Sequence, residues 1–195
     1  MAKLIVSNIV SLDGYIAGPG GNPAVLPMDQ AFDAYNLERL RSAGTLVLGR
    51  KTFEMFRGFW PGVQHATEAP PVLREISQLN GTMPKVVVSD SLAIEPGSPW
   101  SNARVLRRED ALAELAEAKA ASNKDLLLFG SRTLWNSLLA AGLVDELHLM
   151  IGNVVVGGGE SAFTAPVPQA LTLVAERRFA GSQNVLLQYA CAGSL

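Results

Sequence analysis

The chain has 195 residues, of which 48% are hydrophobic and 17% charged, with a net charge of −2. That length and composition suit a folded unit with a real core and argue against disorder. No basic run, aromatic-basic interleaving or zinc-ligand spacing points to nucleic acid, and no apolar run reaches the ~18 residues of a membrane span.

In chain order, the apolar start MAKLIVSNIVSLDGYIAG carries one Lys, is interrupted by Asn8 and Asp13, and lacks a clear cleavage pattern. It reads as the first strand of a cytoplasmic protein, not as a signal peptide. GPGGNPAVLP is a loop broken by Gly and Pro. DQAFDAYNLERLRSAG predicts a helix that Asp29 can cap and Gly44 follows. TLVLG is a short buried strand, and KTFEMF supplies one or two helical turns. A Pro-containing segment leads to KVVVS, another strand, and RVLR is a short one. EDALAELAEAKAAS is the clearest helix, rich in good formers at helical spacing. LLLF, the helix RTLWNSLLAAG and VDELHLMIGNVVVGGG follow. LTLVAERRF and NVLLQYA flank a short Gly-containing turn and predict a terminal antiparallel hairpin.

Short apolar strands alternating with helices imply an α/β domain, its largely parallel sheet covered on both faces. No repeat or long linker divides it, so residues 1–195 read as one domain. Ligands of such sheets sit at the carboxyl ends of the strands. Three of those ends carry small or basic polar residues: Gly49-Arg50-Lys51-Thr52, Ser89-Asp90-Ser91 and Gly130-Ser131-Arg132-Thr133. A helix start offers free N–H groups and partial positive charge to phosphate, Gly admits close approach, and Arg adds a planar fork. Together they suit a phosphorylated dinucleotide, although neither GxGxxG nor a Walker pattern is present. The structural alternative is that Ser131 is only an N-cap and Gly49 only eases a turn. Gly157-Gly158-Gly159 is either a tight bend near the site or a plain loop.

The order of these pieces resembles the dihydrofolate-reductase-like superfamily, and within it the reductase domain of the riboflavin-biosynthesis deaminase-reductase. The resemblance is carried by VSLDGYIA, TLVLGRKTFE, KVVVSDSL and LLLFGSRTLWNSLLAAGLVDELHLMIGNVVVGGGESAF, in that order. It implies a three-layer αβα fold around a mixed sheet, NADPH as cofactor, and often a homodimer. Carried over by position, Arg50 and Ser89 lie near the 2′-phosphate, with Gly49 and Thr52 lining the same strand end. Gly130, Ser131, Arg132 and Thr133 meet the pyrophosphate, and Asn8 and Ile16 the nicotinamide.

LPMDQAF resembles the dihydrofolate reductase segment whose acid holds the pterin, which places Asp29 as the substrate-orienting, catalytic acid. The alternative is that Asp29 is a helix cap. Phe32 and Phe53, with Phe56 and Trp60, offer an apolar wall for a flat ring or are plain core. Ala24 stands where dihydrofolate reductases carry a tryptophan, Met150 where a hydroxyl residue partners the acid, and Phe129 where the riboflavin-pathway domain carries a Glu. The resemblance thus implies reduction of a pterin- or pyrimidine-type heterocycle, of the dihydrofolate or 5-amino-6-(5-phosphoribosylamino)uracil kind. The rival is a non-catalytic relative of the same fold that binds a nucleotide or another ligand. His65 falls in a polar loop. His148 reads as a structural side chain, Asp13 as a turn residue or one lining the substrate mouth, Asp145-Glu146 as a strand start and Cys191 as a bystander.

Overall fold

The run LIVSNIVS forms strand β1 (Leu4–Ser11), and all eight of its residues are buried. A strand buried on both sides must lie inside a sheet covered by two layers. The computed structural model, which describes residues 2–167 and 170–191, supplies them. After β1 come β2 (Tyr15–Ala17), α1 (Gln30–Ser42), β3 (Ala43–Gly49), α2 (Arg50–Val63), α3 (Pro71–Thr82), β4 (Lys85–Val88) and β5 (Ala103–Leu106). Then follow α4 (Ala111–Ala121), β6 (Asp125–Phe129), α5 (Arg132–Ala140), β7 (Glu146–Gly152), β8 (Glu160–Ser161), β9 (Leu171–Arg178) and β10 (Val185–Cys191).

Eight strands make one sheet in the order β5-β4-β3-β6-β1-β7-β10-β9. From β5 to β7 all neighbours are parallel; β10 and β9 add the expected antiparallel hairpin. The small residual pair β2 and β8 lies outside this sheet. Alternation along each strand sends Ile5, Leu46 and Leu127 to one face, under Leu37 and Leu40 of α1 and Ile76 of α3. Leu4, Val6, Leu126 and Leu128 go to the other, under Leu115 of α4 and Trp135 and Leu138 of α5. The fold is therefore the expected three-layer αβα arrangement around a mixed sheet.

Two elements depart from the expectation. KTFEMF extends to a fourteen-residue helix, α2, and the Pro-containing segment holds a second one, α3. Pro71 stands in the first turn of α3, where its missing N–H costs nothing, so it starts the helix instead of breaking it. After β4, by contrast, no helix begins, and Ser89-Asp90-Ser91 opens a loop. Among the described residues no helix is long and apolar enough to cross a membrane.

Candidate active site

The carboxyl ends of β3, β6 and β1 lie side by side, and side chains tie them together. Gly130, just past β6, donates its N–H to Asn8 Oδ1 at 2.7 Å, and Asn8 Nδ2 returns a bond to the Gly130 carbonyl at 3.4 Å. Gly130 and Ser131 are both left-handed, with φ 53° and 52°. For Ser131 that conformation costs about 1–2 kcal/mol. Two bonds hold it: Ser131 Oγ accepts from the Gly49 N–H at 2.8 Å, and the Ser131 N–H donates to Thr52 Oγ1 at 2.9 Å. The hydroxyl is thus spent across the sheet and does not cap α5. A Cβ on Gly130 would lie 3.0 Å from two Thr52 atoms, so the turn closes tightly on α2.

The result is one knot of Asn8, Gly49, Thr52, Gly130 and Ser131. It holds the starts of α2 and α5 together, and neither helix has a side-chain cap. Their N–H groups and partial positive charges converge on the same strand ends. Thr133 is exposed at the start of α5, and Arg50 at the start of α2. Among the described residues Arg50 pairs only with Glu54, exposed and 3.3 Å away, and a phosphate can displace that pair.

The register extends the site sideways. Gly49 pairs with Val88 and Val88 with Leu106, so the next residues, Arg50, Ser89 and Arg107, end adjacent strands at steps of ~5 Å. Arg107 is exposed and was not singled out in the sequence; the double arginine after RVL was the available signal. The Ser89 hydroxyl is buried and accepts from the Ser91 and Leu92 N–H groups, leaving only its proton to offer.

Other expected residues lie elsewhere. Arg132 turns away from the knot: its Nε donates to the Ser161 carbonyl, and its guanidinium lies 4.0 Å from Glu160. Ile16, on β2, packs partly buried against the α5-side core. Phe53 does not line a substrate wall. It is fully buried against Leu48, Val87 and Trp100, 5.9 Å between ring centroids from Trp100, because its position on α2 faces the sheet. Phe32 is partly buried beside Ile9, Leu26 and Met150, nearer the strand ends.

Asp29 caps α1. Its Oδ1 accepts from the Ala31 and Phe32 N–H groups at 3.0 and 3.1 Å. Its Oδ2 accepts from Ser182 Oγ at 2.5 Å, so the hydroxyl missing at Met150 arrives from the β9–β10 turn instead. Burial works to raise the Asp29 pKa, but the bonds from Ser182, Phe32, Ala31 and Asn184 outweigh it and hold the acid below its ordinary range. Asp33, one helical turn on, behaves oppositely. Burial, with the Asp29 charge second, pushes it up to about 6. Sequence reasoning passed over Asp33; its i+4 spacing from Asp29 was the signal.

His148 bridges Tyr35 Oη and Glu146 Oε2, both at 2.8 Å. Gln188 Nε2 donates to Tyr35 Oη and Lys3 Nζ to Glu146, so the buried pair Tyr35 and His148 is tied through half-buried Glu146 to exposed Lys3. Asp13 pins the loop after β7, accepting from the Val156 and Gly157 N–H groups at 3.0 and 2.8 Å. At Gly159, φ is 127° and a Cβ would strike the Ala17 carbonyl at 2.4 Å, so the triple glycine is a tight bend crossing β2.

The RibD C-terminal domain family model matches residues 2–187. The uncharacterized protein YyaP of Bacillus subtilis is 28% identical over 163 residues, covering 83% of this chain and 80% of that protein. A pyrimidine reductase-like protein of Corynebacterium diphtheriae superposes with a TM-score of 0.66 at 15% identity, over 97% of this chain and 92% of that one. Dihydrofolate reductase from Enterococcus faecalis, complexed with NADP(H) and RAB-propyl, gives 0.60 at 16% identity, over 97% and 96%. At such identities these two structures speak for the fold.

Proposed function

Because the chain belongs to the RibD C-terminal domain family, we propose that it is an NADPH-dependent reductase of a pterin- or pyrimidine-type heterocycle. The observation that carries this reading is the knot joining the uncapped starts of α2 and α5. Its left-handed Gly130-Ser131 turn, braced from three sides, suits a pyrophosphate laid over the first N–H groups of α5. Arg50 and Arg107, on either side of Ser89, suit a 2′-phosphate. When bound, the cofactor supplies a hydride. Asn8 has its amide engaged by Gly130, so it sets the height of the Gly130 peptide instead of gripping the nicotinamide. Phe32, Ile9 and Phe129 form the apolar side on which a flat ring would lie. Asp29, ionised and fully engaged, holds the entry to α1.

Titration of the protein with NADPH and NADH, followed by nicotinamide fluorescence, tests the cradle. Arg50→Ala should weaken NADPH binding by about tenfold or more and leave NADH nearly unchanged. Equal losses for both would remove the 2′-phosphate role. Oxidation of NADPH by dihydrofolate or by 5-amino-6-(5-phosphoribosylamino)uracil would then identify the substrate class. Binding without oxidation of any pterin or pyrimidine would favour a ligand-binding relative.

A further inference from the structure

Helix α1 descends from the strand ends: Pro27, just before it, lies against Gly152 at the end of β7, and Tyr35 reaches His148 lower on that strand. Its sheet-facing stripe runs Asp33, Leu37, Leu40, at i, i+4 and i+7. Leu37 and Leu40 pack with Ile5, Leu127 and Phe129. Asp33, one turn nearer the strand ends, therefore stands beside the part of the sheet where Ser7 lies. Ser7 shares the face of Ile5 and Ile9, is only 4% exposed, and its hydroxyl has no hydrogen bond among the described residues. The Asp33 carboxyl likewise has neither a hydrogen bond nor an ion pair there.

We infer that Asp33 is the acid that protonates the substrate nitrogen as the adjacent carbon is reduced. The inference rests on the reductase reading of this site. In the step, the carbon of a C=N bond receives the hydride and the π pair moves to nitrogen. The nitrogen takes the Asp33 proton, and the Asp33 carboxylate is reprotonated by water. One NADPH and one proton are consumed per turnover. The two acids thus divide the work: Asp29 is held ionised by its donors, whereas burial, and then the Asp29 charge, keep the proton on Asp33 to about pH 6. By helical spacing from Leu37 and Leu40, the sheet positions that Asp33 faces are Ser7, Ile9 and Phe129, none titratable. His148 is engaged by Tyr35 and Glu146, and Asp29 is the one charge acting on Asp33.

The test combines the protein alone with turnover. Carboxyl ¹³C resonances are titrated in wild type and Asp33→Asn, and the resonance missing from the variant should titrate near 6. Asp33→Asn should bind NADPH as wild type does. It should lower kcat by about 100-fold or more and lose the fall in rate above pH 6, with partial rescue by Asp33→Glu. It should also raise Tm at pH 7.5 and much less at pH 4. The raised pKa makes the folded state bind more protons between 3.8 and about 6, so stability falls across that window and stays lower above it. Titration near 4, or turnover by Asp33→Asn with an unchanged pH profile, would overturn the assignment. Failure of the wild type to oxidise NADPH with any substrate would instead bring down the reductase reading, and the acid role with it.

Discussion

Asn8 and Gly130, 122 positions apart, bind each other through both backbone polar groups of Gly130: Gly130 N–H to Asn8 Oδ1 at 2.7 Å, and Asn8 Nδ2 to Gly130 O at 3.4 Å. Removing the amide leaves a half-buried N–H and carbonyl unmatched. Asn8→Leu should therefore cost about 1–3 kcal/mol in urea unfolding. It should also weaken NADPH binding, since the Gly130 peptide is no longer held at the strand ends. Unchanged binding in a folded variant would detach Asn8 from the cradle.

Gly130→Ala probes the turn itself. The added Cβ would sit 3.0 Å from Thr52 Cγ2 and Oγ1 on a residue with φ 53°. A left-handed alanine costs about 1–2 kcal/mol, and Thr52 must move away from the Ser131 N–H. NADPH affinity should drop more than stability does. Thr52→Val, which removes only the acceptor, should show the same ordering on a smaller scale.

Gly152→Ala acts on the other side of the site. Its Cβ would meet Pro27 Cγ at 2.6 Å, and the Pro27 carbonyl accepts from Asn184 Nδ2 at 2.8 Å. Overpacking there should cost about 1–3 kcal/mol. Because Pro27 leads directly to Asp29, KM for the heterocycle should rise while the Kd for NADPH holds. A rise in both would show that the two halves of the site are not separable.

Glu146 gives a pH signature that does not involve turnover. The His148 hydrogen bond and then Lys3 hold its pKa at about 2 against the opposing effect of burial. A lowered carboxylate pKa stabilises the fold above the ordinary value of 4.5 and loses that contribution as pH falls towards 2. Glu146→Gln should cost no more than about 3 kcal/mol at pH 7 and nearly nothing at pH 2. Urea unfolding at the two pH values measures it, and an equal cost at both would mean that packing, not charge, is lost.

Much of the fold was legible because its signals are local. LIVSNIVS, TLVLG, KVVVS and LLLF are short apolar runs that are strands in any context offering partners, and the Ala-rich α4 is a helix by propensity. The strand-end residues Gly49, Thr52, Gly130 and Ser131 were likewise visible as small polar groups following buried runs. The helix α3 was hidden inside a Pro-containing segment, whereas Pro71, at its first position and preceded by Pro70 at the cap, begins the helix. Phe53 looked available to a ligand, but the facing of α2 makes it core.

The sequence alone thus determined the alternation of elements, and with it the covered parallel sheet and the edge where a ligand would lie. Periodicity and turn chemistry act within a few residues and survive without knowledge of the rest. The tertiary structure decided which polar groups are spent and which stay free. Ser131 is consumed by Gly49 82 positions away, Asp29 by Ser182 153 positions away, and the Asp33 carboxyl is left with no donor among the described residues. Such pairings depend on strand order and register, which bring distant residues within hydrogen-bond reach, and no local pattern encodes them.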